Sequence, residues 1–147
     1  MYISKVEFND LNSIYELGKN NIHIYYEKNH LASFFKSNNY RLFKISYNNK
    51  IFGFIIYQIK SSSKIHIMSF AIDSQIRNKG LGTSLLNFVK SNYPKSLITL
   101  NVQTSNINAL NFYYKNNFKA DIFKHNYYNE DIRDAIQMIY NPNKNIC

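Results

Sequence analysis

Arg77-Asn78-Lys79-Gly80-Leu81-Gly82-Thr83 decides how this chain is read. The run Ile65 to Ile72 before it is strand-like, and Leu81, Leu85, Phe88 and Val89 behind it recur at helical spacing. A glycine-bearing turn between a strand and a helix leaves backbone N–H groups without partners at the helix start. Those groups, with the positive end of the helix dipole, make a site for a phosphate or pyrophosphate. Gly80 and Gly82 put no side chain between a ligand and the backbone, and two of the chain's four glycines stand here. The stretch is not a P-loop, because no Gly-Lys-Ser/Thr follows the proper spacer, and it lacks the third glycine of the dinucleotide fingerprint. An ordinary strand-to-helix turn explains the glycines equally well, so the rest of the chain has to decide.

A second strand-like run, Leu97 to Val102, leads into Asn106-Ile107-Asn108-Ala109-Leu110-Asn111-Phe112-Tyr113-Tyr114-Lys115-Asn116-Asn117-Phe118. The two stretches together give Arg-x-x-Gly-x-Gly, then Asn-x-x-Ala-x-x-Phe-Tyr-x-x-x-Asn-Phe. This pattern resembles the GNAT family of acetyl-CoA-dependent N-acetyltransferases. The tail Asn126 to Ala135, through its Tyr127-Tyr128 pair and Asp134-Ala135, resembles the branch that acetylates protein N-termini. That branch holds the bacterial RimI-type enzymes and eukaryotic enzymes acting on Met-starting chains. The eukaryotic type is the more similar, through Ile67-Met68 and Val102-Gln103-Thr104-Ser105-Asn106. The resemblance covers residues 40 to 140, and the first third of the chain matches only in its rhythm.

Acyl transfer from a thioester needs a bound acyl-CoA, a neutral amine, a stabilised oxyanion and a proton for the departing thiolate. The resemblance implies that Arg77, Asn78, Lys79, Gly80, Leu81, Gly82 and Thr83 wrap the pyrophosphate of acetyl-CoA, mostly through backbone N–H groups. It implies that Phe70, Ala71 and Ile72 lie along the pantetheine and pair with it like an added strand, one N–H polarising the acetyl carbonyl. Asn106 matches the family's asparagine that contacts the CoA arm, and it also reads as a plain helix N-cap. Tyr113 falls at the family's tyrosine, seven residues later. A phenol of pKa ~10 can return a proton to a thiolate whose conjugate acid is near ~8.5. The alternative is a half-buried core tyrosine beside Phe112 and Tyr114. Asn117 stands where the family usually has glycine, and asparagine is the next best residue for a left-handed helix end.

Asn101 is the serious departure, because its position carries glutamate in the bacterial branch and histidine in the eukaryotic one. An amide accepts no proton at neutral pH, which leaves Asn101 as a substrate-binding residue. His66 is the candidate base: it shares a strand face with Met68, and an ordinary imidazole pKa of ~6.5 suits the task. A packed or surface histidine is the alternative. Tyr127 and Tyr128 resemble the pair that hydrogen-bonds the substrate's first peptide unit, while Ile22, His23, Ile24 and Met68 would line the pocket for its first side chain. Glu130, Asp131 and Asp134 would attract a basic substrate or else form a solvated turn, the second being the simpler reading.

Composition bounds the rest. A chain of 147 residues, 45% hydrophobic and 18% charged, is expected to form one globular N-acetyltransferase domain over residues 1–147. The single cysteine, Cys147, permits no intrachain disulfide, so a reducing, cytoplasmic setting is expected. The start of the chain lacks the pattern of a signal peptide, and the longest apolar stretch, Ile51 to Tyr57, is too short to cross a bilayer. The net charge of +9 is spread over scattered lysines with no cluster, which argues against specific nucleic-acid binding and against a membrane partner. No metal-ligand spacing occurs.

The order strand, two helices, three strands, helix, strand, helix, two strands predicts an α+β fold with helices on both faces of a sheet. The resemblance makes that a mixed, mainly antiparallel, twisted sheet holding acetyl-CoA at splayed fourth and fifth strands. The expected reaction moves an acetyl group by direct attack of a protein N-terminal α-amine. A GNAT enzyme acting on a small amine and a non-catalytic acyl-CoA-binding subunit remain as alternatives. A ribosome or an auxiliary subunit is the partner such a role implies.

Overall fold

A computed structural model of the chain describes residues 1–125, 127 and 134–143. Its elements are β1 (Tyr2–Lys5), α1 (Leu11–Asn21), α2 (Lys28–Lys36), β2 (Tyr40–Tyr47), β3 (Lys50–Ser61), β4 (Lys64–Ile72), α3 (Leu81–Asn92), β5 (Leu97–Gln103), α4 (Ile107–Lys115), β6 (Lys119–Lys124) and β7 (Ala135–Tyr140). The strands form one seven-stranded sheet in the order β1-β2-β3-β4-β5-β7-β6. Every neighbouring pair is antiparallel except β4 and β5. This is the mixed, mainly antiparallel α+β sheet expected from the sequence.

Local chemistry sets the turns. Asn48 and Asn49 take φ of 49° and 64°, the left-handed pair that a two-residue hairpin needs, and they join β2 to β3. Asn117 ends α4 at φ 70°, doing what glycine would do there. Asp10 stands at the N-cap position of α1 without a side-chain bond to that helix. Its carboxylate accepts from the backbone N–H of Glu7 and pairs with Lys44, closing a 3-10 turn at Phe8–Asp10 ahead of the helix. A second 3-10 turn, Ser74–Ile76, lies between β4 and the glycine turn, with Asp73 accepting from Gln75 N at 3.0 Å.

Two apolar clusters sandwich the sheet. One joins Ile55, Tyr57, Ile65, Ile67, Ile98, Leu100 and Val102 to Leu85, Leu86 and Val89 of α3 and to Leu110 and Tyr113 of α4. The other joins Phe54, Ile56 and Ala71 to Leu11 and Ile14 of α1 and Leu31 of α2. Two features of β4 position the site between them. Its ladder with β3 shifts register so that Ile56 faces Ser69 while Tyr57 faces Ile67, and Met68 is the extra residue of a bulge. The bulge inverts the strand's alternation: Ile65 and Ile67 before it, and Phe70 and Ile72 after it, all pack on the α3/α4 side. Met68 and Ala71 pack on the α1/α2 side. On the other flank, β4 pairs with β5 only through Lys64, Ile65 and His66, opposite Leu97, Ile98 and Thr99. Beyond His66 the two strands part.

Candidate active site

The parting of β4 and β5 collects most of the residues singled out from the sequence. Phe70, Ala71 and Ile72 form the end of β4, beyond the last pair with β5. The glycine turn follows, and α3 starts behind it. Gly80 takes φ +82° with nothing within 4 Å of where a Cβ would stand. The first backbone bond of α3 runs from Ser84 N to Gly80 O, so the amides of Leu81, Gly82 and Thr83 point out of the helix end. An open cradle of N–H groups at a helix start fits a pyrophosphate. Arg77 contributes differently: its Nε donates to Ile72 O at 3.2 Å and its Nη2 to Asn21 O at 2.9 Å. Asn21 Oδ1 in turn accepts from Ser74 N at 2.8 Å. The guanidinium therefore ties the end of α1 to the end of β4. Asn78, at φ 65°, and Lys79 lie exposed in the turn.

Gly82 is a matter of space rather than of φ. A Cβ there would stand 2.9 Å from Phe112 Cζ and 3.2 Å from Phe70 Cζ. Those two rings stack at 5.7 Å, and both touch the ring of Tyr113. Tyr113 is 8% exposed on α4, held also by Phe118 at 5.6 Å. Asn106 accepts from Ala109 N at 3.2 Å, so it does cap α4.

On the opposite side of the sheet, His66 and Thr99 share a 2.7 Å hydrogen bond between Nδ1 and Oγ1 at the last paired rung. Burial first, and then Lys60, Lys124 and Lys64, push the imidazole down from its ordinary 6.5 to about 4. His66 is thus neutral at neutral pH and a weaker base than an ordinary histidine. Its folded pKa lies below the unfolded one, so the unfolded chain takes up the proton first as the pH falls. Stability is then unaffected above pH 6.5, is lost as the pH falls from there, and levels off below about 4. Because solvent reaches part of the ring, the loss is expected to be on the order of 1 kcal/mol. Urea unfolding at pH 7 and pH 4.5 checks it, with His66→Gln expected to be the less acid-sensitive protein.

Asn101, two residues along β5 on the face of Thr99, donates from Nδ2 to Tyr127 OH at 3.1 Å. Its Oδ1 is buried without a hydrogen-bond partner among the described residues. An acceptor placed so suits an N–H donor such as an amine. Ile22 and Met68 pack into the cluster on this side, while Ile24 is 37% exposed. Tyr128 lies outside the described residues. Tyr26 was not singled out from the sequence, yet it belongs here. It packs with Met68 and edge-on to Phe34 at 5.0 Å, and its phenol is held above its ordinary pKa by burial and then by Tyr127 and Tyr40. Tyr26, from the segment after α1, and Tyr127 are thus close enough for one phenol to disfavour ionisation of the other. Nothing in the sequence marked Tyr26, because the run Asn21 to Tyr26 has no period. Among the described residues, no group of His, Cys, Asp and Glu could hold a metal ion.

A model of the acetyltransferase (GNAT) domain matches residues 11–140. The chain belongs to the GNAT acetyltransferase family. This GNAT chain is 27% identical over 143 residues to an uncharacterised N-acetyltransferase of Methanocaldococcus jannaschii, covering 95% of this chain and 90% of that one. Its fold is similar to the ribosomal-protein-S18-alanine N-acetyltransferase of Escherichia coli, with a TM-score of 0.86 and 26% identity over 95% of this chain and 92% of that one. It is also similar to Arabidopsis thaliana Naa50 in complex with a bisubstrate analogue, CoA-Ac-MVNAL, with a TM-score of 0.77 and 25% identity over 94% and 96% of the two chains. The GNAT chain is an acetyl-CoA-dependent N-acetyltransferase.

Proposed function

We propose that the chain, as one domain over residues 1–147, acetylates the α-amine of peptide or protein N-termini. The observation that carries this is the Asn101–Tyr127 hydrogen bond beside the edge of β4 that β5 leaves open, with Tyr26 near enough to Tyr127 for that phenol to raise its pKa. Two phenols and an amide beside an open strand edge suit an extended backbone with its own N–H and C=O groups better than a small flexible amine. The similarity to an enzyme named for a ribosomal-protein alanine and to one bound to a CoA-peptide analogue supports the same reading. The ribosome or a partner subunit is the setting it favours, and the cytoplasm the compartment.

In this reading the glycine turn binds the acetyl-CoA pyrophosphate, Phe70 to Ile72 flank its arm, and Asn106 stands near the arm at the head of α4. The neutral amine attacks the acetyl carbonyl carbon, the carbon–sulfur bond breaks, and Tyr113 returns a proton to the sulfur. Asn101 Oδ1 orients the amine as a hydrogen-bond acceptor. The nitrogen becomes acidic once it is bonded to the carbonyl carbon, and His66, a weak base, takes its proton directly or through water.

Thiol release from acetyl-CoA with a panel of short peptides, their α-blocked copies and polyamines tests the reading. Release that needs a free α-amine and depends on the first residues supports it, whereas release with polyamines alone assigns a small-amine substrate. Absence of release despite acetyl-CoA binding assigns a non-catalytic subunit. Tyr127→Phe is expected to raise the KM for peptide about tenfold and leave acetyl-CoA affinity unchanged, because it removes the acceptor that holds the Asn101 amide. Equal losses for both ligands would make Tyr127 a fold residue instead.

A further inference from the structure

The register of the sheet gathers three lysines around the face on which the amine is to be bound. Gln58 of β3, His66 of β4 and Thr99 of β5 are lateral neighbours, so their side chains share the α1/α2 side of the sheet. Lys64 lies two residues from His66 on the same side of β4, and Lys60, which a second register shift near the end of β3 leaves without a rung, is close enough to His66 to lower its pKa. From the far edge, Asn101 faces Gln137, Gln137 faces Ile122, and Lys124 follows Ile122 on that side. The Lys124 ammonium stands 4.8 Å from the ring centroid of Tyr127, whose OH takes the Asn101 amide. Two acids lie nearby and keep their charge: Asp121 accepts from Gln137 Nε2 at 3.2 Å, and Asp134 pairs with His125 at 3.0 Å, so the three lysines outnumber them. The lysines' effect on His66, second only to burial, shows the sign of the local field. The field disfavours a proton there, and it would equally disfavour a polyamine.

We propose that the preferred substrates carry aspartate or glutamate at the second or third position behind the acetylated α-amine. This rests on the N-terminal reading above and names the class of N-terminus. The Asn101–Tyr127 bond and the Lys124–ring contact put the ammonium on the order of 10 Å from the amine's partner, two to three residues of extended chain. A carboxylate at that distance meets Lys124, and Lys60 and Lys64 add a longer-range attraction that salt weakens.

The test compares kcat/KM for peptides that differ only at positions two and three, carrying Asp/Glu, Asn/Gln or Lys, at low and at high salt. Acidic peptides are expected to exceed their amide counterparts about tenfold at low salt, with lysine peptides lowest and the advantage shrinking to about twofold in 0.5 M salt. Lys124→Gln, and separately the double variant Lys60→Gln/Lys64→Gln, are expected to narrow the acidic-to-amide ratio. A folding defect lowers both members of that ratio alike and leaves it unchanged. Equal use of acidic and amide peptides, or a preference for lysine, overturns the proposal while N-terminal acetylation stands. If no free-amine peptide is acetylated at all, the functional reading itself falls.

Discussion

Tyr113→Phe is expected to lower kcat about a hundredfold and to leave acetyl-CoA affinity and folding stability nearly unchanged. The ring is 8% exposed and wedged among Phe70, Phe112 and Phe118, and phenylalanine keeps every one of those contacts. Only the hydroxyl goes, and with it the proton destined for the leaving sulfur. Loss of a positioned general acid typically costs 10²–10⁴ in rate. Thiol release measured with saturating acetyl-CoA gives kcat, calorimetric titration gives the affinity, and thermal unfolding gives the stability. A variant as fast as the parent would reduce Tyr113 to a core tyrosine and leave the sulfur to be protonated by solvent.

Gly82→Val is expected to be the most damaging single change in the glycine turn. Even the first added carbon would stand 2.9 Å from Phe112 and 3.2 Å from Phe70, closer than packed carbons tolerate. Valine adds two further methyl groups and a β-branched side chain to the first turn of α3. Forced overpacking of this kind costs ~1–3 kcal/mol, and here the strain falls on two rings that also hold Tyr113. We expect acetyl-CoA affinity to fall at least tenfold and kcat to fall with it. Urea unfolding separates the packing cost from the binding loss. An unchanged affinity in a destabilised protein would mean that the turn serves the fold rather than the ligand.

Much of the architecture was legible because single residues betray it. β4 and α3 lie where the sequence placed them, since period and turn chemistry agreed there. What escaped depends on residues distant in sequence. The bulge at Met68 hides in a strand covered on both sides, where apolar residues fall on either face and alternation does not show which one is extra. The parting of β4 from β5 came only from the family resemblance, because nothing in either strand says where pairing stops. The depressed basicity of His66 comes first from burial and then from lysines of β3, β6 and β4, a combination no local window contains. Arg77 was expected beside the pyrophosphate, and its side chain instead clamps α1 to β4.

The bulge also bears on which changes the chain tolerates. A strand is read in steps of two, and Met68 is the single inserted letter that moves everything downstream into the other frame. Exchanging Met68 for another apolar side chain keeps that frame. Deleting it would make Ile67 and Ser69 consecutive rungs opposite Tyr57 and Ile56 and leave Phe70 and Ile72 facing α3 and α4, so the loss would fall on the packing Met68 gives the α1/α2 side and on the bend that an extra residue puts into a strand.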